Sequence, residues 1–293
     1  MIKKVLVVGG SGFLGSHVCD SLYNKGYKVR ILDTKKSIYN KEQYELIIAD
    51  MLDLKILDNA VKGCDYVFNF AGIADLNLAL SKPVETVKIN ILGNVQLLEL
   101  CKLHKVKRYI FASTIYVNSR QGSFYRVSKN ACEDYIEEYS KSFGLEYTIL
   151  RYGSLYGDRS DKSNGLYRLV ENALHTGQVS YIGNIHSKRE YVNVQDAADL
   201  SVKAMSEKYK NTYLIISGVE QIGVKHLLNM LNEILGIEKD VIFEDQKYLG
   251  HYIRTPYALR NKLVKKIIPD SHIDFGQGLL QLISYIKNKQ DFE

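Results

Sequence analysis

The chain has 293 residues, 46% hydrophobic and 25% charged, with 21 glycines, 3 prolines and a mean hydropathy of -0.17. These values fall in the ordinary globular range and exclude a disordered or collagen-like chain. The net charge of +6 is spread thinly, acidic residues lie among the lysines, and no basic run suits a phosphate backbone, so no nucleic acid partner is expected. No apolar run approaches the ~20 residues of a spanning helix, which predicts a soluble, unprocessed, cytoplasmic protein with no membrane partner. Cys19, Cys64, Cys101 and Cys132 form no C-x-x-C pair and the 7 histidines show no ligand spacing, so buried thiols and no metal are expected.

A length near twice the ~150-residue prior allows one large core or two lobes around a cleft. The β-branched run at 4–8 predicts a first strand, ending in Gly9-Gly10-Ser11-Gly12-Phe13-Leu14-Gly15. A helix is predicted over 12–24, where Leu14, Val18, Cys19 and Leu22 form an apolar stripe and Gly26 follows the end. Further strands are predicted at 29–32, 46–49, 66–70, 108–112 and 147–151, with helices at 53–62, 84–104 and 126–143 between them. Strands alternating with helices of this length predict βαβ units and a doubly wound parallel α/β sheet, a Rossmann fold.

Beyond residue 151 the regularity weakens. Helices are predicted at 166–175 and 223–235, a buried strand at 213–217, and a loop-rich stretch over 164–186. The predicted organisation is a dinucleotide-binding domain over 1–151, joined by about 190–217, and a smaller interleaved C-terminal substrate lobe over about 152–189 and 218–293.

The glycines after the first strand fit two spacings, Gly10-Gly12-Gly15 and Gly9-Gly12-Gly15. Glycine there lets the backbone approach a diphosphate, while the unpaired N–H groups of the first helical turn face the negative charge. The next strand ends in Asp33, at about the ~20-residue offset where a carboxylate accepts hydrogen bonds from an adenosine ribose. That carboxylate repels a 2′-phosphate and favours NAD over NADP, although Lys35 and Lys36 stand nearby.

Tyr125 and Lys129 lie four apart, on one face of a predicted helix. A cation beside a phenol stabilises phenolate and draws its pKa of ~10 towards neutrality, suiting proton exchange with a hydroxyl. The spacing alone is weak among 22 tyrosines, and Tyr285 with Lys289 repeats it in a C-terminal amphipathic helix, where a structural role is expected. The first pair differs because it follows a strand ending Phe111-Ala112-Ser113-Thr114, whose hydroxyls emerge at the carboxyl edge of the sheet.

With these elements in order, the chain resembles the extended branch of the short-chain dehydrogenase/reductase family, the nucleotide-sugar epimerases and dehydratases. Gly9, Gly12 and Gly15 resemble its glycine motif, with Phe13 and Leu14 between them. Asp50-Met51-Leu52-Asp53 resembles its adenine-side acidic motif, and Asn69-Phe70-Ala71-Gly72 the stretch beneath the nicotinamide. Asn90 resembles the asparagine that supports the active site, and Thr114, Tyr125 and Lys129 the catalytic triad. Leu150-Arg151-Tyr152 with Tyr156-Gly157 resembles the entry to the sugar-nucleotide lobe, and Arg189-Glu190-Tyr191-Val192 the element whose arginine binds substrate diphosphate.

The resemblance implies an NAD cofactor held by Gly9, Gly12, Phe13, Leu14, Gly15 and Asp33, with Asp50, Met51, Ala71, Gly72, Asn90, Tyr125 and Lys129. It implies a nucleotide-diphosphate-sugar substrate touched by Thr114, Ser154, Arg189 and Arg254, and a homodimer paired through helices matching 92–104 and 126–143. Arg189 has an alternative as a salt-bridge partner for Glu190, and Arg254 as a surface residue.

Departures narrow the activity. Where dehydratases and uronate decarboxylases of the family carry acids after the triad Ser/Thr, this chain has Ile115 and Tyr116, so water elimination is disfavoured. Val117-Asn118-Ser119 replaces Val-Tyr-Gly, the loop to Tyr125 is short, and Ser154 stands where many epimerases have asparagine. The expected activity is an NAD-dependent 4-epimerase working through a 4-keto sugar. The alternative on the same fold is a one-way C4 dehydrogenase or 4-ketoreductase in deoxysugar or surface-polysaccharide synthesis. A nucleotide-sensing protein without chemistry is disfavoured because both Tyr125 and Lys129 are present.

Overall fold

Val5 to Val8 are all buried, as are all residues of the strands that begin at Tyr66 and Tyr147, and such unbroken, largely apolar buried runs belong to parallel strands covered on both faces. The computed structural model describes residues 2–244, 253–256 and 264–290. In its first half, β1 (Lys4–Val8) leads through α1 (Phe13–Asn24) to β2 (Lys28–Asp33) and β3 (Glu45–Ile48), then α2 (Leu54–Val61) and β4 (Tyr66–Asn69). Two short helices, α3 (Leu76–Ser81) and α4 (Pro83–Thr86), precede a π-helical turn at Val87–Leu92 and α5 (Gly93–Leu103). β5 (Arg108–Thr114), a 3-10 turn at Ile115–Asn118, α6 (Ser123–Phe143) and β6 (Tyr147–Tyr152) complete this half.

The second half contains β7 (Ser154–Tyr156), α7 (Gly165–Thr176), β8 (Ser180–Ile182), β9 (Lys188–Arg189), β10 (Tyr191–Asn193) and α8 (Val194–Lys203). After these come β11 (Thr212–Ile216), β12 (Ile222–Gly223), α9 (Val224–Leu235), β13 (Ile242–Glu244), β14 (Val264–Lys266) and α10 (Phe275–Gln290).

Eight strands form one parallel sheet in the order β3-β2-β1-β4-β5-β6-β11-β14. The fold is thus the expected doubly wound α/β sheet of Rossmann type. One core packs α1 and α8 on one face through Val18, Leu22, Ala198 and Leu214. The other packs α2, α5 and α6 on the opposite face through Leu57, Leu97, Cys132 and Ile136. A separate core of Val170, Leu228, Leu231, Leu282 and Ile286 unites α7, α9 and α10. All four cysteines are buried and free.

The chain order reverses between β1 and β4, and in such sheets ligands bind outside the carboxyl ends of the strands at the reversal. β11 pairs in register with β6, and β14 pairs with β11 to form the outer edge of the main sheet. The helix predicted over 84–104 is interrupted by the π turn, within which the Asn90 carbonyl accepts from Cys132 Sγ at 3.0 Å. Such bulges concentrate at functional sites.

Candidate active site

The glycine turn lies at the reversal, with Asp33 one strand away and Asp50 beyond the edge strand β3. Gly9 ends β1 with φ +80°, and a Cβ there would stand 2.7 Å from the Ala71 nitrogen of the neighbouring β4 turn. A Cβ on Gly15 would overlap the Gly9 carbonyl, so the first turn of α1 packs against the glycine turn only because both are glycine. Gly12 caps α1 without a side-chain hydrogen bond, and the amides of Phe13, Leu14 and Gly15 in the first turn have no intrahelical partner. Asp33, at the end of β2, accepts from the Ser11 amide at 2.9 Å. Lys35 and Lys36 are exposed beside it. Asp50 is also exposed and accepts from the Leu52 amide at 2.9 Å, while Met51 is buried against Gly93. Free helix-end amides, a glycine cradle with no room for a Cβ and a carboxylate one strand away fit the diphosphate and adenosine ribose of NAD.

Past β4, Asn69 accepts from the Ala71 amide at 3.2 Å and donates to Tyr109 and Asn94 in a buried cluster. Gly72 has φ +150°, and its missing side chain leaves room for Asn90 Oδ1. Asn90 is enclosed, bonding both backbone atoms of Ile73 and donating to Ser128 Oγ at 2.9 Å. It therefore ties the turn after β4 to α6.

Thr114, Tyr125 and Lys129 converge at the carboxyl end of β5. Thr114 is buried, and its hydroxyl accepts from the Tyr116 amide at 3.3 Å and donates to the Tyr125 phenol. Lys129 is buried, donates to the Ala112 carbonyl at 2.6 Å, and holds its Nζ 5.8 Å from the Tyr125 ring centroid. Burial pushes the Tyr125 phenol up to about 12, only partly opposed by the Thr114 hydrogen bond. Burial also pulls Lys129 down to about 8, against the field of Glu133. This corrects the expectation of an acidified phenol. In the protein alone desolvation outweighs the lysine, whose ammonium bonds a carbonyl rather than the phenol.

Two features escaped the sequence. Glu133, one turn beyond Lys129, receives Arg151 Nε and Nη2 at 3.0 and 2.7 Å and Ser113 Oγ at 2.6 Å, while Arg151 Nη1 donates to Asn118 Oδ1 at 3.1 Å. Both charged side chains are 1% exposed, so this pair locks α6 to β5 and β6 within the protein interior. Tyr116 lies edge-on to Tyr125, ring centroids 6.5 Å apart. The Y-x-x-x-K-x-x-x-E spacing put Glu133 on the Lys129 face; its pairing with Arg151 had no local signal.

The substrate-directed residues lie on the lobe side. Ser154 in β7 is in register with Tyr191, and its amide donates to the Glu190 carbonyl at 3.3 Å. Arg189 is partly buried in β9, and an isolated bridge joins its neighbour Lys188 to the exposed Arg254, which places the Arg254 backbone beside β9. Glu190 is buried and receives Lys266 Nζ at 2.9 Å and Ser217 Oγ at 2.7 Å. Tyr285 and Lys289, the second match to the Tyr-Lys spacing, lie on α10. Among the described residues no group of His, Cys, Asp and Glu gathers to hold a metal, and no helix is long and apolar enough to cross a membrane.

The model of the family described as NAD dependent epimerase/dehydratase matches residues 5–215. A Methanocaldococcus jannaschii protein, itself only provisionally named a UDP-glucose 4-epimerase, is 28% identical over 308 residues, covering 97% of this chain and 98% of its own. The Bacillus cytotoxicus UDP-N-acetyl-alpha-D-glucosaminuronate decarboxylase is 27% identical, covering 98% of each chain. The crystal structure of Thermotoga maritima UDP-glucose 4-epimerase with UDP-glucose superposes with a TM-score of 0.83 at 26% identity, covering 98% of this chain and 99% of that one.

Proposed function

The chain belongs to the NAD-dependent epimerase/dehydratase family, and we propose that within it this protein is a nucleotide-diphosphate-sugar 4-epimerase. The observation that carries the reading is the convergence of Thr114, Tyr125 and Lys129 at the edge of β5, across the reversal from the glycine turn. Bound NAD supplies a hydride acceptor that can return what it takes, and its oxidised ring is positively charged.

Thr114 holds the C4 hydroxyl of the sugar against the Tyr125 oxygen. Tyr125 removes the hydroxyl proton as C4 is oxidised and gives it back when the 4-keto sugar, turned in the pocket, is reduced on its other face. Lys129 is cationic at neutral pH because its pKa of about 8 lies above it, and its charge favours the phenolate that Tyr125 must become. Ile115 is fully buried and apolar, and neither it nor Tyr116 offers the carboxylate that elimination of water would use. Arg189, Arg254 and Ser154 hold the substrate diphosphate, for which a guanidinium fork is suited. A homodimer would cover Leu92, Leu103, Tyr135 and Phe143, which are 47%, 65%, 46% and 56% exposed on the α5–α6 side.

The test is proton NMR of a panel of nucleotide sugars, UDP-hexoses and UDP-hexuronates first, incubated with the NAD-loaded protein. A new anomeric doublet without change at the reduced-nicotinamide absorbance band is the expected result. Reduced nicotinamide accumulating with each turnover would replace the epimerase reading by the one-way dehydrogenase, and no new signal from any sugar would refute both.

A further inference from the structure

An epimerase that returns the hydride it takes cannot lose its dinucleotide between the two half-reactions, and three segments remote in sequence meet beside the glycine turn. The segment between β2 and β3 closes on that turn: Asn40 Oδ1 accepts from Ser11 Oγ at 3.0 Å and from the Ser37 amide at 2.7 Å. Ser11 also donates its amide to Asp33, so the segment, the carboxylate and the turn are bonded together.

The same segment is fastened from outside. Asp20, on α1, receives Tyr44 Oη at 2.6 Å, Lys41 Nζ at 2.9 Å and Arg159 Nη2 at 2.6 Å. Burial alone would raise the Asp20 carboxyl, but these three donors together hold it below the ordinary carboxylate range. The Arg159 guanidinium also lies over the Tyr39 ring, 4.5 Å from its centroid, and the Tyr39 hydroxyl meets that of Tyr285 on α10 at 3.2 Å. Arg159 reaches this position with φ +65°, a left-handed backbone unusual for arginine, and the neighbouring Asp158 carbonyl is bonded to His17 of α1 at 3.0 Å.

We infer that Arg159 is the clasp of a cofactor-retaining strap: by pinning residues 37–44 against α1 and, through Tyr39 and Tyr285, against the C-terminal helix, it keeps the dinucleotide from leaving. Arg159 acts through Tyr39 and Asp20 and is a positioning residue. In this inference residues 37–44 swing away from Asp33 and the Ser11–Asn40 bond parts as the dinucleotide leaves. Arg159 and Tyr285 both come from the second half of the chain, after β7 and on α10, whereas Asp20 and Tyr39 come from the first, so these contacts tie the two halves together. The inference deepens the epimerase reading, yet its test needs no sugar substrate, so either can fail without the other.

The experiment loads the protein with 1,N6-etheno-NAD, chases with excess NAD and follows the fluorescence of the released probe. Arg159→Ala should release it at least about tenfold faster than wild type, the equivalent of one charge-assisted hydrogen bond of ~1.4 kcal/mol. Tyr39→Phe and Tyr285→Phe, which each remove one hydroxyl, should accelerate release by about twofold to fivefold, and combining either with Arg159→Ala should add little if the three act as one clasp. Melting temperatures are recorded for each variant, so that faster release with unchanged melting separates retention from general loosening. If Arg159→Ala fails to fold, Tyr39→Phe and Tyr285→Phe decide the matter. Release within twofold of wild type in all the variants that fold, or acceleration only in step with a lowered melting temperature, would overturn the inference.

Discussion

Lys129→Met removes the buried ammonium while keeping most of the side-chain volume. Burial lowers the Lys129 pKa from its ordinary 10.5 to about 8. The unfolded chain therefore binds more protons than the folded one between those values, and wild-type stability rises with pH through that window. At ~1.4 kcal/mol for each tenfold change, the folded protein carries about 3 kcal/mol of penalty below pH ~8 for keeping this lysine charged. Replacement by Met relieves that penalty but strands the Ala112 carbonyl, which Lys129 Nζ reaches at 2.6 Å; an unsatisfied buried acceptor costs about 1–3 kcal/mol.

The two effects nearly cancel at pH 7, so Lys129→Met should be as stable as wild type there or somewhat more so, despite losing a residue assigned to catalysis. By pH 10 most of the wild-type penalty has gone, and the variant should have fallen behind by about 2–3 kcal/mol relative to its standing at pH 7. Urea unfolding of the ligand-free proteins at both pH values, analysed by linear extrapolation, measures the difference. A gap between variant and wild type that is the same at pH 7 and pH 10 would show that Lys129 is not the depressed group.

Tyr125→Phe should lower kcat by about 10²- to 10⁴-fold, as expected for loss of a proton-transfer group; steady-state kinetics at saturating NAD check it. Glu133→Ala leaves the Arg151 guanidinium charged and unpaired inside the protein and should cost about 3–5 kcal/mol in urea unfolding, whereas the Glu133→Met/Arg151→Met pair should recover most of that loss. His17 is held down to about 4, by burial first and by Arg159 second. The folded state thus resists its protonation, and stability should fall as pH drops from 6.5 towards 4, a slope that His17→Gln should flatten in pH-dependent thermal melts.

Much of the cofactor half was legible because it rests on local rules. The glycine turn, Asp33 at the next strand end and Tyr125 with Lys129 on one helical face each depend on spacings of a few to about twenty residues. The short strands β7 and β10 were missed because three residues cannot display a period, and the π turn at Val87–Leu92 because helical periodicity continues on both sides of it. The Glu133–Arg151 pair and the Asp20–Arg159–Tyr39 cluster join residues 18 to 139 positions apart, where only the folded chain brings them together. The phenol's upward shift was missed for a related reason. Four-residue spacing places a cation near Tyr125, but the degree of burial, which wins here, is set by tertiary packing around β5.

The measurement that bears most directly on the proposed chemistry uses the nucleotide sugar found active in the NMR panel, synthesised with deuterium at C4. Hydride removal and return at C4 predicts a product epimer that keeps its deuterium at C4 in ordinary water. Deuterium washed out into solvent, or an epimer inverted at any other carbon, would contradict the roles assigned to Thr114, Tyr125 and Lys129.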